Sequence, residues 1–345
     1  RTNATRNPSP CRAVIMKPGK IPESMLKRCV LSKVNNVREE VVLGAKVGED
    51  CAAVKVADDE VMVMSTDPIT GTAKDVGKLG VYITANDIAC SGAEIFGVMV
   101  TIMLPDKTLE DELMTITSDI NEACKKLNIQ VIGGHTEVTR VVNSPVVSVT
   151  GVGKVKKDKL LKAGAIKPGM DIVMTKAIAL EGTSIIAKEC GDELITHFPV
   201  DMIDKAVSFD EEILIVPEAM LIRDMAVSLH DVTEGGIFGA LWELAESSGV
   251  GLDIDVKKIN VRQESIEICE YYHINPYKLI SSGCLLIAGD DGEAIVRRLN
   301  DNGIEACVIG KATDSNDRRL INGEDIRFLE TPGKDELYQV IGGRE

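Results

Sequence analysis

Aromatic side chains are scarce in this 345-residue chain, which has one Trp, five Tyr and five Phe. Its core must therefore be assembled from Ile, Val, Leu, Met and Ala. Long apolar runs are missing too: no stretch approaches the ~18 consecutive apolar residues of a membrane span, and the first residues lack the apolar centre of a secretion signal. These absences argue against membrane insertion and predict a cytoplasmic protein. Basic residues are outnumbered, 39 Lys and Arg against 54 Asp and Glu, for a net charge of −15. Such a balance repels nucleic-acid backbones. The one basic cluster, Lys154, Lys156, Lys157, Lys159 and Lys162, is interrupted by Val and Leu without aromatics and reads as a solvated connection. The nine cysteines form no Cys-x-x-Cys pair and no cysteine–histidine metal spacing, so they are expected as reduced, small apolar residues. No Walker A loop, Rossmann glycine fingerprint or Gly-x-Ser-x-Gly elbow occurs, which excludes the commonest phosphate cradles and the nucleophile elbow.

What is present is an apolar fraction of 44% in a chain longer than one core usually needs, which points to two domains. The reading is a flexible leader over 1–18, a first domain over 19–160 and a second over 165–345, both α+β. In the first, 50–56 and 60–66 read as a hairpin around Ala57-Asp58-Asp59, 75–90 as a helix ending before Gly92, and 95–104 as an apolar strand. Leu109, Leu113, Ile116, Ile120, Ala123 and Leu127 recur at helical spacing, and strands follow at 130–132 and 146–155. In the second, strands are expected at 171–175, 226–229, 252–256, 284–288 and 306–309. Helices are expected within 180–189 and 211–225, after Gly235, around 263–271 and over 292–299.

The chemistry gathers at a few polar breaks. Asp50, in Gly48-Glu49-Asp50, and Asp67, in Ser65-Thr66-Asp67, lie at strand ends, where each is either an ordinary turn or cap residue or a ligand to a cation. Asn86-Asp87 interrupts an apolar helix, and a buried Asp87 needs a donor or a cation. Gly133-Gly134-His135-Thr136-Glu137 follows a strand, and two glycines there can bring main-chain amides to a ligand; His135 can equally be a satisfied imidazole in a turn. Asp231-Val232-Thr233-Glu234-Gly235-Gly236 opens a helix whose free amides can receive an anion, unless Thr233 is a plain N-cap. Ser281-Ser282-Gly283 offers hydroxyls before a strand. Carboxylates that converge repel one another, and Mg²⁺ with phosphate relieves that repulsion.

Taken in order, Gly-Glu-Asp-x-Ala-Ala, Ser-Thr-Asp, Asn-Asp-Ile-Ala, Gly-Gly-His-Thr-Glu, Thr175-Lys176, Asp-Val-Thr-Glu-Gly-Gly and Ser-Ser-Gly resemble the aminoimidazole ribonucleotide synthase superfamily over nearly the whole chain from Gly19. That superfamily also holds thiamine-monophosphate kinase, selenophosphate synthetase and HypE-type hydrogenase maturation proteins. Gly19-Lys20-Ile21-Pro22 and Asn275-Pro276-Tyr277-x-Leu279 make the chain most similar to the HypE type. The resemblance implies a PurM-like two-domain architecture, with an N-terminal mixed sheet that forms a barrel across a homodimer. It implies ATP and Mg²⁺ as cofactors, with Asp50, Asp67, Asp87 and Glu137 on the metal. Asn86, Gly133, Gly134, Thr136, Asp231, Gly235 and Gly236, with the aspartates, would hold the nucleotide, Lys176 would offset phosphoryl charge, and His135 is an acid/base candidate. A small-molecule or thiocarboxamide acceptor and a maturation-protein partner are implied, with a non-catalytic ATP-binding scaffold or a small-metabolite kinase as alternatives. Departures from the HypE pattern are Ser282 where that type has glutamate, His135 where Asp is common, and Cys307 as the last cysteine, where that type carries a C-terminal one.

Overall fold

The computed structural model describes residues 19–20, 25–43, 53–69 and 75–341. The chain divides into two compact units that do not follow sequence order: Arg1–Val54, Pro68–Gly80 and Val98–Val149 form the first, and Lys55–Asp67, Val81–Gly97 and Thr150–Glu345 the second.

The strands of the N-terminal half are Gly19–Lys20 (β1), Val41–Leu43 (β2), Ala53–Val54 (β3), Glu60–Ile69 (β4), Glu94–Pro105 (β5), Gln130–Thr139 (β6) and Val146–Lys156 (β7). Five of them make a sheet in the order β1-β6-β5-β7-β4, while β2 and β3 pair separately. The helices are Val76–Cys90 (α1) and Glu110–Leu127 (α2). In α2, Leu113, Ile116, Ile120 and Ala123 are buried, as the periodicity predicts. Its start is fixed by the Glu112 carboxylate, which accepts the Leu109 N–H at 2.6 Å, and by acidic residues in the first turn that suit the helix dipole.

Two expectations change here. The hairpin over 50–66 is not a ladder among the described residues: β3 pairs with β2, and β4 neighbours β7. The Asp58–Asp59 turn is instead tied to the end of β7, where Lys157 donates to both carbonyls. The other change is Gly133–Glu137, which lies inside β6 rather than in a loop after it. Gly134 sits at φ +153°, and a Cβ there would lie 2.0 Å from the Val100 carbonyl oxygen, so the glycine serves close approach to β5.

The second unit is built on a seven-stranded sheet. Its strands are Asp171–Thr175 (β8), Ser228–Asp231 (β9), Gly251–Asp255 (β10), Leu285–Gly289 (β11), Ala306–Thr313 (β12), Arg318–Asn322 (β13) and Asp325–Phe328 (β14). They run in the order β14-β13-β10-β12-β8-β11-β9. Its helices are Leu180–Glu189 (α3), Val200–Ser208 (α4), Val216–Ile222 (α5), Gly236–Ser248 (α6), Gln263–Tyr272 (α7) and Gly292–Asp301 (α8). The period-2 alternation of strands separates two cores. Ile172, Met174, Leu286 and Ala288 pack with Ile186, Ile203, Leu241 and Ile268 of α3, α4, α6 and α7. Val173, Leu285 and Ile287 face the other way, onto Ala219, Ile222, Ile295 and Leu299 of α5 and α8, together with Ala89 of α1.

The helix expected within 211–225 is α5, which occupies Val216–Ile222. A short turn at Phe209–Glu212 and α5 are separated by Ile213–Ile215, which is pinned by the side chains of Asn86 and Lys176. Also unforeseen are α4, β13 and β14. Among the described residues no helix is long and apolar enough to cross a membrane.

Candidate functional site

Three of the expected aspartates meet within the second unit. On β4, Ser65 and Asp67 project to one side, two residues apart, and α1 brings Asp87 to them. The Ser65 hydroxyl stands 2.6 Å from Asp87 Oδ2 and 3.4 Å from Asp67 Oδ2. From the end of β9 comes Asp231, buried, with the Cys90 Sγ of α1 3.7 Å from its Oδ1 and no partner for its Oδ2. His230 holds the strand end, with Nδ1 2.7 Å from the Asp231 carbonyl oxygen and Nε2 3.2 Å from Glu243.

The charges in this group oppose one another. Burial pushes the Asp87 carboxyl up to about 8, reinforced by the Asp231 charge and by Asp67, while the Ser65 hydroxyl pulls the other way. Burial also raises Asp231, against the favourable charge of His230. His230 itself is raised: burial works against its charged form, but Glu243 and Asp231 outweigh it. Such carboxyls take either protons or a cation. Among the described residues no three of His, Cys, Asp or Glu stand close enough to form a protein-only metal cage. Mg²⁺, however, is usually held by one or two carboxylates plus phosphate and water oxygens, and the hard oxygens of Asp67 and Asp87 fit that pattern.

Asn86 and Lys176 occupy different positions from those expected of nucleotide ligands. Asn86 is fully buried; its amide donates to the Ile213 carbonyl at 3.0 Å and its oxygen accepts the Ile215 N–H at 2.9 Å. Lys176 Nζ donates to the carbonyls of Glu212 and Leu214 at 2.8 and 2.9 Å and pairs with Glu218 at 2.5 Å. All three ammonium donors are thereby engaged, leaving none for a phosphoryl group in this arrangement. The two side chains grip alternate residues of 212–215, the segment that joins the Phe209–Glu212 turn to α5.

Gly235 and Gly236 do start α6, at φ +84° and +62°. Their amides are not free. The Gly235 N–H donates to Asp335 Oδ2 at 2.6 Å and the Gly236 N–H to the Thr233 carbonyl at 3.1 Å. Asp335 is buried and also accepts the Leu337 N–H, so the chain's own carboxylate fills the anion position. The Thr233 side chain does not cap the helix.

In the first unit, His135 and Glu137 lie on one face of β6, 3.2 Å apart, while Thr136 is buried on the other. The alternation of a strand, not a loop, sets these directions. Asp50 lies outside the described residues.

Sequence reading missed Glu181, Glu218 and Asp335, all buried. Glu181 had a signal: it is the one charge within Ala177-Ile178-Ala179-Leu180-Glu181-Gly182-Thr183-Ser184-Ile185-Ile186. A lone carboxylate in such a run implies a buried partner. The other two had no local mark, because their partners are distant in the chain.

Comparison with known proteins fits this picture. Residues 48–155 match the family model of the AIR synthase related protein, N-terminal domain, and 167–322 that of the AIR synthase related protein, C-terminal domain. A putative hydrogenase expression/formation protein of Methanocaldococcus jannaschii is 26% identical over 86% of this chain and 88% of its own length. Carbamoyl dehydratase HypE of Rhodobacter capsulatus is 25% identical over 71% and 72%. The crystal structure of hydrogenase maturation protein HypE in complex with ATP superposes with a TM-score of 0.73 at 18% identity, covering 91% of this chain and 95% of that one. The architecture is thus the two-domain PurM-like fold.

Proposed function

The chain belongs to the AIR synthase related family, and from that premise we propose that it is a Mg-ATP-dependent enzyme that phosphorylates, and so activates, an amide- or carboxylate-like oxygen in hydrogenase maturation. The observation that carries this reading is the meeting of Asp67 and Asp87 around Ser65, within reach of the charge of a buried Asp231 that has one oxygen left unpaired. Apposed carboxylates of this kind are destabilised until a cation joins them. Asp67 and Asp87 would hold Mg²⁺. The ion would neutralise charge on the β- and γ-phosphates and orient them for in-line transfer.

The chain's own residues supply the rest. Ser65 orients Asp87 through its short hydrogen bond, and Asn86 and Lys176 act as positioning residues that fix segment 212–215 beside α1. Asp231 keeps the pocket acidic, which favours a metal-bound nucleotide over a bare one. The ATP-bound HypE structure supports the nucleotide, and the carbamoyl dehydratase relative supports a carbamoyl-type acceptor. A homodimer, a maturation-protein partner and a cytoplasmic location belong to the same proposal. A non-catalytic scaffold is the second reading, favoured by Ser282 at the position where the HypE type carries glutamate.

Isothermal calorimetry tests the first reading. ATP is expected to bind in millimolar Mg²⁺ and at least ~10-fold more weakly in EDTA or in Asp87→Asn, the effect of losing one charged ligand. Absence of heat with Mg-ATP at millimolar concentration would remove the proposal. Binding without ADP formation, with carbamoylated peptides and simple amides supplied, would favour the scaffold.

A further inference from the structure

A cavity of about 330 Å³ opens in the second unit between the first turn of α6 and the segment that follows β14, and it has no role in the account so far. That volume falls within the ~300–1,000 Å³ usual for small-molecule sites. On the α6 side it is lined by Gly235, Phe238 and Gly239. The Phe238 ring stacks on Tyr277, with centroids 5.0 Å apart and planes at 17°; Tyr277 is not part of the lining, so it backs the ring on the protein side. A Cβ on Gly239 would have one neighbour within 4 Å, the Glu234 carbonyl oxygen at 3.4 Å, so this face of the helix is left to the cavity.

The opposite wall, 327–334, is held at both ends. Leu329 is buried and its N–H donates to the Arg318 carbonyl at 2.8 Å; Asp335, also buried, accepts the Gly235 and Leu337 N–H groups at 2.6 and 2.8 Å. Residues 330–334 between these anchors are exposed. Walls fixed in this way leave little ordering cost to a ligand that enters. The charge around the cavity is the reverse of that of the whole chain: Lys278, Arg327 and Lys334 stand against Glu330 and Glu336, in a protein of net charge −15. Both carboxylates are already engaged, Glu330 with Lys278 at 3.2 Å and Glu336 with the Gln339 amide at 2.6 Å. Among the described residues the Arg327 guanidinium has no hydrogen bond or ion pair, and the Lys334 ammonium has only the Tyr338 ring, 5.2 Å from its centroid. Two cations thus border an aromatic surface with no carboxylate of the chain's own to neutralise them.

We propose that this cavity binds a small aromatic anion, a planar ring bearing a phosphate or carboxylate group. The ring lies against Phe238, in the space that Gly235 and Gly239 leave, and the anion meets Arg327 and Lys334. A ring alone would gain only stacking and burial, and an anion alone would meet two exposed cations screened by salt. Joined in one molecule the two contacts reinforce each other, because the second is then made intramolecularly. The planar guanidinium fork of Arg327 suits the paired oxygens of either anion. The site shares no residue with the group of Ser65, Asp67, Asp87 and Asp231, although Gly235 lies in the turn that leaves Asp231.

Calorimetry in EDTA without nucleotide tests the site, with phenyl phosphate and benzoate as probes and inorganic phosphate and benzyl alcohol as the anion and the ring alone. The better of the two probes is expected to bind at least ~10-fold more tightly than either half, and which one it is identifies the anion. Arg327→Gln and Lys334→Gln, at exposed positions, should each weaken it about 5- to 10-fold, whereas Arg297→Gln, exposed on α8, should stay within about twofold. Gly239→Leu fills the cavity and should abolish binding, with the melting temperature checking that α6 is intact. Trp242, the chain's single Trp, follows Phe238 by one turn of α6, and its indole N–H resonance should shift with the calorimetric midpoint. Binding should be unchanged in Asp87→Asn, because the aspartate group takes no part in it. A probe no tighter than its halves, an affinity indifferent to both charge variants and to Gly239→Leu, or loss of binding in Asp87→Asn would each overturn the site.

Discussion

Replacing Asn86 by Ala separates a structural clamp from a nucleotide ligand. The fully buried Asn86 amide satisfies the Ile213 carbonyl and the Ile215 N–H, two main-chain groups in a segment with no helical partners of its own. Truncation removes two hydrogen bonds and strands both main-chain groups, each at a cost of about 1–3 kcal/mol, for a sum of about 2–6 kcal/mol. Relaxation of the 213–215 segment and entry of water recover part of this, so a loss of roughly 3–4 kcal/mol is expected. Asn86→Asp keeps an acceptor for the Ile215 N–H but turns a carboxylate onto the Ile213 carbonyl, next to Asp87. It should be the more damaging change, and more so at pH 8 than at pH 5, because the added carboxyl is neutral only at the lower pH. Guanidinium denaturation in EDTA without nucleotide provides the measurement, since no ligand then contributes to the midpoint. Asn322→Ala, on the exposed end of β13, is the control and should stay within about 0.5 kcal/mol. An Asn86→Ala midpoint equal to that of the control would refute the clamp.

Two other outcomes follow from the same geometry. Asp87, with its carboxyl raised to about 8 from the ordinary 3.8, binds a proton in the folded protein that the unfolded chain has already released, so the metal-free protein should lose stability as pH rises from about 4 towards 8. Asp87→Asn should therefore raise the melting temperature at pH 7.5 in EDTA and do so much less at pH 5; a gain equal at both pH values would contradict the burial of that charge. Lys176→Met leaves the Glu218 carboxylate buried beside two unpaired carbonyls, and a loss of about 3–5 kcal/mol in a urea melt is expected. The further change Glu218→Leu should recover part of that loss, whereas a double variant no more stable than Lys176→Met would place the pair's value elsewhere.

The sequence by itself determined the family, the α+β class and the elements whose signals are local. The boundaries of α3 and the buried stripe of α2 were legible because spacing and end chemistry act within a turn or two of helix. The aspartates at strand and helix ends were legible because a carboxylate amid apolar neighbours needs a partner, and two of the expected metal ligands, Asp67 and Asp87, meet around Ser65. Only the tertiary structure decided what those partners are. Gly133-Gly134 read as a loop because glycine favours loops, but its freedom is spent on letting β6 approach β5. A helix within 211–225 was legible, but where it starts was not, because Asn86 and Lys176 reach the segment before Val216 from elsewhere in the chain and bind its main chain. The start of α6 read as an open anion site, and the carboxylate that fills it comes from Asp335, 100 residues beyond Gly235. Periodicity and capping are fixed by neighbours in sequence, whereas the partner of a buried polar group is fixed by which strands align, and that alignment is a property of the whole packed unit.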